Sequence, residues 1–287
     1  MSVVLANALR EKHAVQIIHH HLDVTSKQLE AFSGLDLEGV ELRYLPAPDL
    51  ARTQTIAGTF SGAGRRRDAE LTASYDVFVN VGHGIPPICH ATMGVCLVLF
   101  PFFKQKHEWP WNEPPRGPSD LYRRIRNAYY SWAWRQRLGS YQTIVAISEF
   151  TRTWTSRYWG VDPSVVYPPV PLAVSDAPKQ NTILSVGRFA TRGHKKRHRE
   201  LIETFARTGL REQGWSYDCV GAVGTSQDDR DYFCLVKDLG DAAGVTVRGN
   251  VSRLELDRLY SAAQIFMHAA GYDEREDQPE MADINLK

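Results

Sequence analysis

Residues 182–198 read TILSVGRFATRGHKKRH and hold the sharpest pattern in the chain. An apolar run ends at Gly187, a loop rich in cations follows, and a helical period begins after it. Glycine lets a backbone approach a ligand closely, and the free N–H groups of a helix N-terminus attract phosphate. Arg188 can grip phosphate oxygens in a bidentate fork, whereas Lys196, or Lys195 in the neighbouring register, acts as a point charge. The stretch predicts a diphosphate site at a strand end, with a solvated basic turn as the alternative.

Short β-rich runs alternate with helical stretches on both sides of this segment. In the second half, strands are predicted over 182–187, 217–220, 245–248 and 264–268, and helices over 199–207, 229–243 and 252–263, the last opened by a capping box. In the first half, strands are predicted over 14–20, 40–45, 76–81, 95–100 and 143–147, whereas segment 49–73 is ambiguous. This alternation predicts an α/β protein with parallel sheets, whose ligand lies at the carboxyl ends of the strands.

The length and one proline-rich stretch predict two domains. A chain of 287 residues is about two domains at roughly 150 residues each. Residues 165–171 (VVYPPVP) are extended and locked by prolines, and a polar stretch follows them. We therefore expect domains over 1–172 and 173–287, each Rossmann-like.

The composition excludes several classes of protein. Lys and Arg number 34 against 33 Asp and Glu, so no net field favours nucleic acid or membrane. This balance also disfavours a nucleic-acid binder that uses the basic runs at 65–67 and 194–199. The four cysteines form no C-x-x-C pair and are interpreted as buried, reduced thiols. With no signal-peptide pattern and no apolar run near 20 residues, the expected location is cytoplasmic.

One further stretch has two interpretations, and a run of histidines has one. Residues 119–138 predict a helix rich in arginine and aromatic residues. It is either a surface helix whose aromatics face the core, or an interfacial helix that approaches a lipid headgroup or lipid-linked acceptor. The run HHH at 19–21 ends a strand, where neighbouring side chains point to opposite faces, so no metal site is expected there.

Several segments, taken in order, resemble glycosyltransferase family 4, a family of retaining enzymes with the GT-B fold. The stretch VGRF, a short loop and GHKK is similar to that family's donor-phosphate segment. Within that family, these segments are most similar to the subgroup of lipid-linked-oligosaccharide or polysaccharide mannosyltransferases. Further similar segments are 75–80 (YDVFVN), 144–151 (IVAISEFT), 159–160 (WG), 166–170 (VYPPV) and 259–272 (LYSAAQIFMHAAGY).

The resemblance implies two Rossmann-like domains that face each other across a cleft. It implies sugar transfer with retention, from a GDP- or UDP-linked sugar to a glycan, lipid-linked or small-molecule acceptor of the cell envelope. No metal and no further cofactor are implied. Arg188 and Lys196 would be the catalytic cations, and His83 would lie on the acceptor side. The donor-binding set would be Gly187, Arg188, Lys195, Lys196, Gly221, Gly224, Asn250, Val251, Gly271 and Tyr272.

Departures from the family pattern favour an alternative function. The family's pair of glutamates, one for the donor sugar and one for the ribose, has no counterpart in residues 278–287. The chain also begins inside the family's first helix, and Leu99 stands where the subgroup tends to have a histidine. We therefore expect two incomplete domains, and keep a non-catalytic nucleotide- or partner-binding relative as the alternative. Contact with the inner membrane face is a further expectation from the subgroup.

Overall fold

The computed structural model describes residues 1–20, 23–45, 56–82, 85–101, 121–170, 178–191, 196–224 and 226–270. The chain divides into two compact units. One comprises Met1–Thr25 and Leu37–Pro169, and the other comprises Ser26–Asp36 and Val170–Lys287. The main division follows Pro169, and a short segment from the N-terminal part of the chain joins the second unit.

Helices and strands alternate along most of the described chain. The helices are α1 (Ser2–Leu9), α2 (Ser26–Ser33), α3 (Ile56–Thr59), α4 (Gly62–Thr72), α5 (Leu121–Gly139), α6 (Glu149–Trp159), α7 (His198–Arg207), α8 (Gln227–Ala243) and α9 (Arg253–Ala262). The strands are β1 (Gln16–His19), β2 (Glu41–Tyr44), β3 (Val77–Gly82), β4 (Met93–Val98), β5 (Thr143–Ala146), β6 (Ser164–Val165), β7 (Gln180–Val186), β8 (Ser216–Gly221), β9 (Thr246–Gly249) and β10 (Ala263–Phe266).

Every strand pair in the described part of the chain is parallel. In the first unit, β1 pairs with β2, and a separate sheet has the order β3-β4-β5-β6. In the second unit, the order is β10-β7-β8-β9. The α/β class with parallel sheets that the sequence predicts is confirmed.

The second sheet changes direction at β7. From β7 the chain moves to β8 and then to β9 on one side, and it returns through α9 to place β10 on the other side of β7. The order β9-β8-β7-β10 matches the 3-2-1-4 order of a dinucleotide-binding half. The carboxyl ends of β7 and β10 therefore flank a topological switch point, where ligands of open α/β sheets bind.

Local side-chain chemistry explains where several helices begin and end. The Ser148 hydroxyl accepts a hydrogen bond from the Thr151 N–H at 3.1 Å at the start of α6. Gly160 ends that helix at a φ of 68°, in the left-handed region that favours glycine. At α9, the Ser252 hydroxyl accepts from the Glu255 N–H at 3.2 Å. The predicted capping box is only half formed, because the Glu255 carboxylate accepts from Arg248 at 3.0 Å instead.

Most of the described part of the ambiguous segment 49–73 is helical. It contains α3 and α4, and Ser61 caps α4 by accepting from the Gly64 N–H at 3.1 Å. Helix α4 is anchored by Asp68, whose carboxylate accepts from Arg137 of α5 at 2.6 Å. Arg137 is 1% exposed, and it also donates to the carbonyls of Thr59 and Pro86.

The second unit has its own apolar core between the sheet and helices α7 and α8. Phe189, Tyr217 and Val236 lie in one buried cluster, and Leu184 and Val220 lie in another. Helix α2 packs beside α9 in this unit, where Gly34 lies against the Arg253 side chain. No helix among the described residues has the length and apolar character needed to cross a lipid bilayer.

Candidate functional site at the carboxyl end of the second sheet

Glycines let the ends of β7 and β8 approach closely. A Cβ on Gly187 would lie 2.8 Å from Cγ of Lys196, and a Cβ on Gly221 would collide with the Gly187 carbonyl oxygen. The Gly187 N–H donates to the Val220 carbonyl at 2.9 Å. The structure therefore brings three of the predicted donor residues, Gly187, Lys196 and Gly221, into one place.

The strand ladder continues past Gly187 and sets the direction of Arg188. The Phe189 N–H donates to the Ala222 carbonyl at 2.8 Å, and Phe189 pairs with Val223 in a parallel bridge. Because side chains alternate along an extended chain, the buried Phe189 directs its neighbour Arg188 away from the core. Arg188 is exposed at the strand end, as a phosphate-binding side chain requires.

The buried side chain of His198 packs against this turn. It is 2% exposed, and its ring stacks on Phe189 with centroids 4.5 Å apart. Nε2 lies 3.2 Å from the Gly187 carbonyl oxygen, and Nδ1 lies 3.4 Å from the Tyr232 hydroxyl. Burial lowers the pKa of His198 to about 4. The imidazole is therefore neutral at pH 7, and a tautomer with its proton on Nε2 satisfies both contacts.

Asp229 holds Thr191, at the start of the loop that follows Phe189. Its carboxylate accepts from the Thr191 N–H at 2.9 Å, and its own N–H donates to the Ser226 hydroxyl at the start of α8. Hydrogen bonds from Ser226 and Thr191 lower the pKa of Asp229, and the positive charge of Arg188 adds to the effect. Gly224 lies against this carboxylate, where a Cβ would collide with it.

Asn250 joins the ends of β8 and β9. Its N–H donates to the Gly221 carbonyl at 2.9 Å, and its side-chain oxygen accepts from the Val223 N–H at 2.8 Å. Its φ of 55° lies in the left-handed region, which asparagine tolerates better than most residues. Val251, next along the chain, packs partly against the buried cluster of Leu184 and Val220. Its contacts are those of a core side chain, and its donor role stays a prediction.

A narrow depression lies at the switch point. Gly187 and Lys196 line it from the β7 side, His198 and Leu201 from α7, and Met267 and His268 from the segment that follows β10. Gly187 and Lys196 thus line the same depression as the residues after β10.

Sequence reasoning missed three side chains at this site. His198 and His268 line the depression, and Asp229 holds the loop, yet none had a predicted role. For His198, the available signal was its position at the start of a helix directly after the basic run. Asp229 had no such signal, because it follows the loop by 38 residues.

Four predicted site residues, namely Lys195, Gly271, Tyr272 and His83, lie outside the described residues. Within the described ranges, no group of three His, Cys, Asp or Glu side chains is placed to hold a metal ion. His20, in the polyhistidine run, instead contacts the Leu45 carbonyl at 2.8 Å through Nδ1.

The cysteines and helix α5 differ in part from what the sequence predicts. Cys89, Cys96 and Cys219 are buried, but Cys234 is exposed on α8, so the prediction of four buried thiols is wrong at that position.

Helix α5 has aromatics on both faces, because Trp134 is 1% exposed whereas Tyr122 is 77% exposed. The aromatics therefore do not all face the core, and contact with a lipid headgroup or lipid-linked acceptor stays a prediction.

No protein-family model and no curated protein matches the chain. Solved structures with similar chains include a GtfA/B complex, at 13% identity and a TM-score of 0.41 over 63% of this chain. TarM matches at 10% identity and a TM-score of 0.44 over 72% of this chain. The pneumococcal O-GlcNAc transferase GtfA, in complex with UDP and GlcNAc, matches at 13% identity and a TM-score of 0.42 over 72%. This chain spans 34%, 39% and 40% of those chains, respectively.

Proposed function

We propose that the second unit binds the diphosphate of a nucleotide sugar at the β7–α7 turn. The observation that carries this proposal is the close contact of Gly187 with Lys196 at the switch point of a parallel sheet, with Arg188 exposed at the same strand end. Backbone that can approach closely, two cations and the carboxyl ends of two strands are the parts of a phosphate site.

The proposed reaction is transfer of the sugar to an acceptor bound by the first unit. Negative charge develops on the diphosphate as the bond between the sugar's anomeric carbon and the phosphate oxygen breaks. Arg188 and Lys196 would stabilise that charge, and preorganised cations are usually the largest contribution in such steps. His198 would contribute no charge, since it is neutral, but would hold the Gly187 carbonyl and thereby the turn.

The finer features of this function rest on the sequence resemblance to glycosyltransferase family 4. They are the GT-B arrangement of the two units, retention at the anomeric carbon, a GDP- or UDP-linked donor, a lipid-linked or glycan acceptor and independence from metal ions. The acceptor role of His83 and the donor roles of Lys195, Gly271 and Tyr272 belong to the same proposal.

Thermal unfolding with nucleotides tests the donor site. A ligand that binds only the folded state raises stability by about 2.7 kcal/mol at about 100 times its Kd. We expect millimolar UDP or GDP to raise the Tm of the wild type, and Arg188→Ala and Lys196→Ala to remove the effect. Arg258→Ala and Lys237→Ala are matched controls, because both residues are exposed on helices of the same unit.

The outcomes distinguish a sugar transferase from a non-catalytic nucleotide-binding relative. Release of nucleotide from a panel of UDP- and GDP-sugars, lost in Arg188→Ala, would support sugar transfer. A nucleotide-dependent Tm shift without any turnover would support the non-catalytic relative. If neither nucleotide shifts the Tm, or if the shift survives in both site variants, the donor site is refuted.

A further inference from the structure

The first unit contains a cationic cleft that the proposed donor site does not use. The cleft has a volume of about 360 Å³ and is lined by Arg65, Ile88, Trp132, Arg135, Gln136 and Ser140, with Gly139 at its edge. Within the described ranges of the chain, its lining includes no acidic side chain.

The cleft lies at the amino ends of the strands. Ile88 precedes β4, which begins at Met93, and Ser140 precedes β5, which begins at Thr143. The proposed donor and acceptor sites lie at the carboxyl ends of parallel strands. A ligand in this cleft would therefore occupy a separate site.

Arg65 is preorganised against an aromatic wall. Its Cζ lies 4.9 Å from the centroid of the Trp132 ring, and one guanidinium nitrogen lies 3.5 Å from the Tyr129 hydroxyl. Stacking on an aromatic face leaves the edge of the guanidinium, with its N–H donors, available to a ligand. Arg135 is exposed on α5.

These two arginines have no carboxylate partner among the described residues. Across the described residues, neither Arg65 nor Arg135 forms an ion pair, whereas Arg137 on the same helix is paired with Asp68 at 2.6 Å. Two uncompensated guanidinium groups in one concave surface favour an anion.

Hydrogen bonds reduce the negative partial charge at the end of α5. Helix C-termini carry partial negative charge through carbonyls that lack a partner. Here the Gln136 and Arg137 carbonyls accept from the Ser140 N–H, and the Leu138 carbonyl accepts from the Tyr141 N–H. The Ser140 hydroxyl also donates to the Arg137 carbonyl at 2.6 Å.

The walls of the cleft are held in place before any ligand binds. The buried Arg137 joins α5 to α4 through Asp68 and to the segment before β4 through the Pro86 carbonyl. The Cys89 N–H donates to the Ser140 hydroxyl at 2.9 Å, which fixes the third wall. A site whose donors are already positioned loses little conformational entropy on binding.

We propose that this cleft binds a phosphoryl group, held between Arg65 and Arg135 beside the ring of Trp132. Guanidinium forks match phosphate geometry, and a cleft of about 360 Å³ has room for a phosphoryl group and part of the molecule that carries it. The phosphoryl group belongs to a free phosphorylated metabolite or to a lipid headgroup.

The local test is nuclear magnetic resonance of the tryptophan indole N–H groups during titration with inorganic phosphate at constant ionic strength. The Trp132 signal is assigned by its loss in Trp132→Phe. We expect a saturable shift of this signal, with the Kd raised at least fivefold in Arg65→Gln and in Arg135→Gln. Arg124→Gln, on the exposed part of the same helix, should leave the Kd unchanged. The remaining indole signals report whether each variant is folded.

Vesicle sedimentation distinguishes the two sources. Binding to vesicles that contain phosphatidic acid, but not to phosphatidylcholine alone, and its loss in both variants would assign the site to a lipid headgroup. Phosphate binding without sedimentation would assign it to a free metabolite.

The proposal is overturned if phosphate gives no saturable Trp132 shift, if the shift survives in Arg65→Gln and Arg135→Gln, or if Arg124→Gln weakens it equally. Arg188→Ala should not affect the Trp132 titration, so failure of the donor site leaves this result unchanged.

Discussion

His198 holds the turn on which the proposed diphosphate site is built. It contacts Gly187, Phe189 and Tyr232 at once, and so connects the strand end, the start of α7 and the body of α8. Among the described residues, the partners of this imidazole at hydrogen-bond distance are the Gly187 carbonyl and the Tyr232 hydroxyl, and neither is a carboxylate. Its protonation should therefore be unfavourable in the folded state.

The first prediction is a loss of stability in mild acid. Between an unfolded pKa near 6.5 and a folded pKa of about 4, the unfolded chain binds a proton that the folded chain does not. The stabilising effect is thus complete above the unfolded value and is lost as the pH falls. We expect the unfolding free energy of the wild type to fall by about 2 kcal/mol more than that of His198→Gln between about pH 7.5 and about pH 5.

Urea unfolding at each pH measures this difference. Glutamine can donate to the Gly187 carbonyl and accept from Tyr232, but it does not titrate. Equal acid slopes in the two proteins would show that His198 does not titrate as its burial predicts.

The second prediction concerns Gly221, where two strand ends meet. A Cβ at this position would collide with the Gly187 carbonyl oxygen, which belongs to the backbone and cannot rotate away. We expect Gly221→Ala to cost about 1–3 kcal/mol of unfolding free energy. It should also weaken any nucleotide-dependent Tm shift, because the β7 turn must move.

Gly62→Ala is the matched control for this substitution. A Cβ on Gly62 would have no neighbour within 4 Å, and the residue lies in the first turn of α4. Denaturant unfolding should place this variant within about 0.5 kcal/mol of the wild type. A Gly221→Ala protein as stable as the control would contradict the close approach of β7 and β8.

At the scale of elements, the sequence predicted the strands of both units better than it predicted α3 and α4. The strands carry short runs of Val, Ile and Leu between turn residues, and this local signal survives without tertiary information. Helix α4 carries GAGRRRDAELT, with few apolar residues to define a face. Its stability depends on Asp68 and on a partner 69 residues away, which no local pattern reveals.

The third prediction follows from that buried pair. Removing one member leaves the other as an uncompensated buried charge, at a cost of about 3–5 kcal/mol. We expect Asp68→Ala to destabilise the protein by about this amount, as measured by denaturant unfolding. Arg137 is 1% exposed, so it cannot turn toward water without opening the contact between α4 and α5.

Two further variants make this prediction specific. Glu70→Ala, on the exposed side of the same helix, should change stability by no more than about 0.5 kcal/mol. Adding Arg137→Met to Asp68→Ala should recover part of the loss, because the unpaired charge is then gone. An additive double variant would refute the assigned pair.

At the scale of the whole molecule, the fourth prediction concerns thiol reactivity. Burial raises the pKa of Cys96 and of Cys219 to about 11, so both stay protonated at neutral pH. Cys89 is also buried, whereas Cys234 is exposed. We expect an aromatic disulfide reagent to titrate one thiol rapidly in the native protein and all four after unfolding.

Cys234→Ser identifies the reactive thiol. In this variant the rapid phase should disappear, while the total after unfolding falls from four to three. A rapid phase that survives would mean that one of the three buried cysteines is accessible in the folded protein.

The sequence by itself determined the α/β class, the order of most strands along the chain, and the segment most suited to phosphate. These features depend on neighbours within a few residues, namely apolar runs, turn residues and a cluster of cations. It also predicted Gly221 and Asn250 as donor-binding residues, through resemblance rather than through geometry.

Only the tertiary structure decided which side chains meet. It placed His268 and Lys196 on one depression, Asp229 against Thr191, Ser26–Asp36 in the second unit, and Arg65 against Trp132 in a cleft of the first unit. The physical reason is that each of these contacts joins residues far apart along the chain. Sheet order and helix packing bring them together, and local propensity does not encode that arrangement.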